Sequence, residues 1–425
     1  MSSAFSPAWV AAQRWFRAKQ RSIAGVVEVD RAPIGGAALI VLEVSYADGG
    51  APDHYFVLAI DGREPADGEG AWAALVDAMA AGAELRGTIG TFTCRRTDAL
   101  EVLLPATLTE RRLRVEQSNT SVAIGDRLIL KLFRRLEPGE NPDLEIGAFL
   151  TDAGFADTPA LAGAVTYRPD GGEDSAVVML QELVPARGDA WEAMLAALAG
   201  DPDEGIRQAA RIGEVTASMH AALASRPAEP AFPARTATVA ESAAWRASAE
   251  RQLTQAVHAL SGEPHDRLVA IAPAVRARFA DTFGSASGEA RVSRIHGDYH
   301  LGQLLARADG GYSVIDFEGE PARPLAERRL ASSPLRDVAG MLRSLDYAAR
   351  TAERDAGLDA AAWLPRARES FGAAYGGIGP SEAALLEAFE LEKACYEVRY
   401  EAGNRPGWLW LPLAAVERIV HRRRG

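Results

Sequence analysis

Over the first hundred residues, apolar and polar side chains alternate with a period of two. The stretches GVVEVDRAPI, ALIVLEVSYADG and HYFVLAID carry this alternation, and YADGGAPDHY supplies turn residues between the last two. The pattern predicts strands and a hairpin. AWAALVDAMAAG follows with the spacing of a short helix, which makes a small α+β unit. From Leu113 two strands are expected on either side of an IGD turn. NPDLEIGAFL then opens a helix whose Asp143 and Glu145 suit its electropositive N-terminal end. LAGAVTYRPDGG and SAVVMLQELVP add strands, so the region reads as an antiparallel sheet with one helix packed on it.

After Pro185 the period changes to that of helices and the text becomes rich in alanine. EGIRQAARIGEVTASMHAALA, PLRDVAGMLRSLDYAAR and LLEAFELEKACYEVRYEAG are predicted helices, whereas SRPAEPAFPARTAT is a proline-rich connection. The whole is an α+β chain with no internal repeat and no long low-complexity tract. Its 425 residues exceed what one core usually supports. The segmentation is residues 1–110, 111–184 and 185–425.

A net charge of −12 and a pI near 5.2 argue against a nucleic-acid partner, which needs clustered cations. Cys94 and Cys395 are the only cysteines, too few for a disulfide scaffold or a cysteine zinc site. No run reaches the length of a membrane helix and the first residues lack a secretory pattern, so a cytoplasmic protein without a membrane partner is expected.

The chemistry concentrates in RIHGDYHLGQLL, residues 294–305, and YSVIDFEGEP, residues 312–321. Asp298 lies in a glycine-flanked turn, and Asp316 ends an apolar strand-like run. Two such carboxylates suit phosphoryl transfer, one accepting a hydroxyl proton and the other holding Mg²⁺ against nucleotide phosphates. Gln303 offers a carbonyl oxygen as a further ligand. The bland alternative makes both aspartates caps of a turn and a helix. His296 and His300 flank Asp298 in the manner of a zinc pair, but no third nitrogen or sulfur ligand is nearby in sequence; they read as supports of the turn.

HGDYHLGQ with IDFEGEP resembles the motif pair of the aminoglycoside phosphotransferase and choline kinase superfamily. The longer IDFEGEPARPLAERRLASSPLRDVAGMLRSLDYAAR, with EQSNTS, LILKLFRRLEPGENPDLEIG, QELVPARGDAWE and YEVRYEAGNRPGW, is similar to actinobacterial maltokinases and maltokinase-like glucosamine kinases. QRWFRAKQR adds weaker support. The resemblance implies a eukaryotic protein kinase-like bilobal fold: an antiparallel-sheet N-lobe at 111–184, a mostly helical C-lobe at 185–425, and an N-terminal cap at 1–110. It implies Asp298 as catalytic base and Gln303 and Asp316 as metal ligands. Most of the wider superfamily has Asn where Gln303 stands.

ATP is the implied phosphoryl donor. The chain has no G-x-x-x-x-G-K-[ST] sequence, and the polar EQSNTS (Gln117, Ser118, Asn119, Thr120, Ser121) is the candidate phosphate loop instead. Lys131 ends an apolar strand, with Glu145 on the next helix as its expected partner. Gln181, Glu182 and Val184 form the expected hinge, offering backbone groups to adenine. On the acceptor side His300 joins Asp298, and Lys393, Tyr396, Glu397, Tyr400 and Glu401 follow one helical face that Arg405 and Trp408 continue. The resemblance implies a free sugar as acceptor, glucosamine at its 6-hydroxyl or maltose at its anomeric hydroxyl; aromatics with carboxylates suit a sugar, and acids suit an ammonium group, which favours glucosamine with maltose as the alternative. An aminoglycoside-inactivating kinase and a non-catalytic kinase-like binding module are the rivals. The sequence names no protein partner.

Overall fold

The computed structural model describes residues 5–113, 119–320 and 323–421. It divides into two compact units, Met1–Pro185 with Arg323–Glu327 and Ala186–Ala322 with Arg328–Gly425.

The first unit begins with α1 (Pro7–Ala12) and the antiparallel strands β1 (Ile23–Ile34), β2 (Ala37–Tyr46) and β3 (Asp53–Ala59). Leu39 and Val41 of β2 enter one core with Phe56 and Leu58, while Ile40, Leu42 and Val44 enter another with Trp15, Phe16 and Val57. Burial on both faces accounts for the nearly unbroken apolar run of β2.

Next come α2 (Ala71–Ala81), β4 (Glu84–Arg86), β5 (Gly90–Arg96), α3 (Ala99–Leu103), β6 (Glu110–Arg112), β7 (Thr120–Ile124), β8 (Leu128–Leu132), α4 (Pro142–Asp152), β9 (Leu161–Pro169) and β10 (Ser175–Glu182). The strands form one seven-stranded sheet in the order β4-β5-β9-β10-β8-β7-β6. A boundary after residue 110 therefore falls inside β6 and divides a single sheet. β5 pairs along β9 from Gly90 opposite Pro169 to Arg96 opposite Gly163. The sequence reading named neither β4 nor β5. β4 is three residues long, and β5 alternates only over the five residues Gly90–Cys94, with Phe92 its one large apolar side chain, before two exposed arginines.

The small sheet and the large one share a core in which Leu39, Phe56, Trp72, Val122, Leu130 and Leu180 are buried together. Their backbones also meet: Phe56 N–H donates to Arg134 O at 2.7 Å and Leu136 N–H to His54 O at 2.9 Å. The segment after β8 thus extends the β3 edge.

The second unit contains β11 (Ala186–Asp189), α5 (Ala190–Gly200), α6 (Pro202–Leu223), β12 (Arg235–Thr236), α7 (Val239–Ala259), α8 (Gly262–Ser285), β13 (Arg291–Val292), β14 (Leu304–Arg307) and β15 (Tyr312–Val314). The short α9 (Leu325–Arg328) belongs to the first unit except for Arg328, and the second continues with α10 (Leu335–Ala356), α11 (Ala360–Ala374), α12 (Pro380–Asn404) and α13 (Trp410–His421). β11, β14 and β15 form a small antiparallel sheet, with Leu304 opposite Val314.

A buried ion network ties α10 to α12 and α13. Arg343, 2% exposed, donates to Glu397 at 2.6 and 2.9 Å and to Asp346 at 2.6 Å. Arg418 reaches the same Asp346 at 2.6 Å. No helix among the described residues is long and apolar enough to cross a membrane.

Candidate active site

The turn that carries Asp298 is held from behind by a carboxylate that the sequence reading did not single out. Asp337, one turn into α10 and 1% exposed, accepts from His296 N–H at 2.7 Å and Gly297 N–H at 2.9 Å. His220 of α6 bonds the same carboxylate at 3.1 Å through Nε2, and its Nδ1 meets Tyr375 Oη at 2.9 Å. Burial works against the charge on Asp337, but His220 and the backbone donors outweigh it and keep the carboxyl below its ordinary value. A buried acid early in an apolar helix, as in PLRDVAG, is the signal that marks such a residue.

Gly297 adopts a left-handed φ of 84°, which turns the chain into Asp298. His296 is committed at both ring nitrogens: Nε2 lies 2.9 Å from Ile315 O, and Nδ1 accepts from Asp298 N–H at 3.4 Å. This leaves it no lone pair for zinc and makes it a brace of the turn. His300 caps the following 3₁₀ turn, its Nδ1 accepting from Gly302 N–H at 3.1 Å. Behind the turn, Gly340 of α10 packs so closely that a Cβ would lie 2.5 Å from Tyr299 O. Tyr299 Oη is 3.0 Å from Thr216 Oγ1, whose own proton goes to Ile212 O.

Asp298 itself faces a cation. Lys393 Nζ, from α12, lies 3.2 Å from Asp298 Oδ1 and 4.8 Å from the centre of the Tyr396 ring. Burial alone would raise the Asp298 carboxyl; the charge of Lys393 outweighs it and holds the group below its ordinary value, ionised at neutral pH. Reciprocally, burial pulls Lys393 down, but Asp298 and Glu320 hold it above its ordinary value. The ring of His300, lowered first by burial, also feels the charges of both Asp298 and Asp316, so these groups share one neighbourhood.

The β14–β15 hairpin brings Gln303 and Asp316 together. Ile315 N–H donates to Gln303 O at 3.0 Å, and Gln303 Nε2 reaches Asp316 Oδ2 at 3.3 Å. Asp316 is held at φ 67°, a left-handed conformation that a non-glycine residue adopts at a cost of about 1–3 kcal/mol. A carboxylate oxygen of Glu318 lies within 4.8 Å of one from Asp316. Hard oxygen donors on a short hairpin fit the ligand chemistry of Mg²⁺, with Gln303 able to present its amide oxygen beside the Asp316 carboxylate.

The acceptor candidates divide. Lys393 and Tyr396 are half-buried and Tyr400 is 43% exposed, and the two tyrosine rings stack at 6.2 Å. Glu397 and Glu401 turn inward instead. Glu397 is held by Arg343, and Glu401, 1% exposed, takes Arg405 at 2.5 and 2.9 Å and Tyr347 Oη at 3.1 Å. The expectation that these two acids stand open to an ammonium group is therefore corrected: each neutralises a cation of the protein. Trp408 stacks on Tyr347 at 6.4 Å, with Arg354 and Arg405 over its ring. Lys393, Tyr396, Glu397, Tyr400 and Glu401 follow one another on α12 at steps of three and one, so spacing alone could not sort inward from outward.

In the first unit, Lys131 is 7% exposed and its Nζ lies 2.8 Å from Asp143 Oδ2. The sequence reading credited Asp143 only with suiting a helix end and named Glu145 as the partner; Glu145 is half-buried two positions further along α4. Ser121 stands opposite Lys131 across the β7–β8 ladder, and Thr120 opposite Leu132. Asn119 precedes them, whereas Gln117 and Ser118 lie outside the described residues. At the end of β10, Gln181 is in the ladder, Glu182 N–H donates to Ala160 O at 2.9 Å and Leu183 N–H to Arg127 O at 2.8 Å. Of the expected hinge positions this leaves Val184, half-buried, beyond the strand.

Comparison with known proteins places these residues in context. The phosphotransferase enzyme family matches residues 109–371, and the maltokinase N-terminal cap domain matches residues 9–88. A glucosamine kinase of Streptacidiphilus jiangxiensis is 33% identical over 341 residues, 74% of this chain and 74% of that protein. A glucosamine kinase of Mycolicibacterium smegmatis is 31% identical over 417 residues, 93% of this chain and 98% of that one. Among solved structures, a glucosamine kinase in complex with glucosamine, ADP and inorganic phosphate superimposes with a TM-score of 0.75 at 26% identity, covering 98% of this chain and 97% of that chain.

Proposed function

From the premise that this chain belongs to the phosphotransferase enzyme family and carries a maltokinase-type cap, we propose that it transfers the γ-phosphoryl group of ATP to a hydroxyl of free glucosamine, giving glucosamine 6-phosphate. The observation that carries the reading is the ionised Asp298 on a turn braced by Asp337 and His296 and faced by Lys393. Such a group needs no reorganisation to accept a proton.

As the sugar oxygen bonds to the γ-phosphorus, the bond from that phosphorus to the β–γ bridging oxygen breaks, ADP leaves, and the hydroxyl proton passes to Asp298. Asp316 and Gln303 would hold Mg²⁺, which would supply positive charge for the phosphate oxygens. Lys131, fixed by Asp143, orients phosphates from the first unit, with Asn119, Thr120 and Ser121 beside it and Val184 offering backbone to adenine. Tyr396 and Tyr400 give the C–H face of a sugar ring an aromatic surface.

Glucosamine is favoured by the relatives, whose names carry it, and not by the acids of α12, which are engaged within the protein. Maltose remains a second reading because the cap matches that of maltokinases. A coupled assay of ADP release with glucosamine, maltose, glucose and a panel of aminoglycosides tests the proposal. Release that depends on glucosamine supports it; release only with an aminoglycoside, or none with any acceptor, refutes it.

A further inference from the structure

The most completely buried cation of the first unit sits where the cap meets the candidate nucleotide site. Arg134, 1% exposed, follows β8 and lies three residues beyond Lys131. Its Nη2 is 2.7 Å from Glu64 Oε1, an ion contact lying off the ideal hydrogen-bond direction. Its Nη1 reaches Phe56 O at 3.4 Å, and its guanidinium lies 5.3 Å from the centre of the Trp15 ring. On the other side, Nε donates to Thr120 Oγ1 at 2.9 Å. Trp15, Phe56 and Glu64 all belong to the matched cap region of residues 9–88, whereas Thr120 opens the strand opposite Lys131.

A guanidinium withdrawn from water must be compensated on every side, and this one is compensated chiefly by the cap. Glu64 is shared with Arg112, at 2.9 Å. Burial works to raise the Glu64 carboxyl, but Arg134 and Arg112 outweigh it and hold the group ionised. The main chain repeats the connection, since Arg134 O accepts from Phe56 N–H at 2.7 Å. Nothing in this arrangement serves the sheet alone: an apolar side chain would fill the same space without needing Glu64.

We propose that Arg134 is a positioning residue through which the cap fixes Thr120 and the adjoining end of β8, so that the cap sets the affinity of the protein for nucleotide. The inference rests on the reading that Lys131 and Ser121 face nucleotide phosphates; Thr120, whose side chain points to the opposite, core face of the sheet, acts on them through the main chain next to Ser121. Without the Glu64 contact the guanidinium loses its counter-charge, and the hydrogen bond that orders Thr120 is no longer held in one direction.

The test is calorimetric titration of the full chain with Mg-ADP. The variants are Glu64→Gln, the doubly apolar Glu64→Met with Arg134→Met, Lys131→Ala, and Ile34→Ala, opposite Ala37 at the β1–β2 turn, as a cap-core control away from Phe56. The double variant removes both charges of the buried pair together and leaves only the partly exposed Arg112 without Glu64, which keeps the protein foldable. The expected result is a nucleotide Kd about tenfold weaker in the folded Glu64→Gln and double variants. Ile34→Ala, although less stable, should stay within twofold of wild type. A wild-type Kd in either folded Glu64 variant, with Lys131→Ala impaired, overturns the coupling and leaves the nucleotide site standing. A wild-type Kd in Lys131→Ala as well overturns the nucleotide reading and the coupling with it.

Discussion

Lys393 Nζ lies 3.2 Å from Asp298 Oδ1, so the candidate base carries its own counter-ion on a helix far away in sequence. This cation overcomes the effect of burial and keeps the Asp298 carboxyl below its ordinary value. In wild type, therefore, Asp298 contributes no acid limb to the pH dependence of kcat/KM near neutrality. In Lys393→Met burial acts unopposed by that charge, the carboxyl rises, and activity falls as pH is lowered through the raised value. A pH–rate profile of the variant should show its acid limb displaced upward; an unmoved limb would remove Lys393 from this role.

Asp298→Asn preserves the shape of the turn and removes the proton acceptor. General-base catalysis contributes on the order of 10²–10⁴ in rate. The variant should lose at least that much in kcat, with Mg-ADP binding by calorimetry close to wild type. Retained turnover would show that the proton leaves by another route.

Asp337 makes a prediction about stability. Its folded pKa is depressed by His220 and by backbone donors, so its contribution is present above the unfolded value and is lost as pH falls through the folded one. Wild-type Tm should drop on acidification below about pH 4, the ordinary range of the group. Asp337→Asn should be less stable at neutral pH and show a flatter acid side, since the titrating group is gone. A parallel pair of Tm curves would contradict the assignment.

Arg343 tests whether Glu397 is structural. Arg343→Met strands Glu397 without its guanidinium partner in the interior, and breaking a buried ion pair in this way costs about 3–5 kcal/mol. Arg343→Met combined with Glu397→Leu should recover much of that loss in denaturant unfolding. Additive losses would mean that the two side chains do not act as a pair.

The parts of the molecule legible in sequence were those where one local pattern decides the outcome. β1, β2 and β3 fall on the predicted strand stretches, α4 begins at Pro142 after the Asn141 cap, and Asp298 sits on a glycine turn as GD predicts. What escaped depends on contacts between distant segments. Asp337 meets His296 across 41 positions and Lys393 meets Asp298 across 95. The helix α12 shows the limit most clearly. Tyr400 and Glu401 are neighbours in sequence, yet Tyr400 is 43% exposed and Glu401 1%, because Arg405 and Tyr347 draw the acid inward. Helical spacing placed both on a face but could not say what the face would meet.

The most direct test of the whole account is identification of the product formed from ATP and equal amounts of glucosamine, maltose and glucose, by phosphorus and proton NMR. Glucosamine 6-phosphate should be the main product with wild type, and none should form with Asp298→Asn on the same timescale. Maltose 1-phosphate as the main product would overturn the acceptor assignment. ADP with free phosphate and no sugar ester would contradict phosphoryl transfer to a sugar altogether.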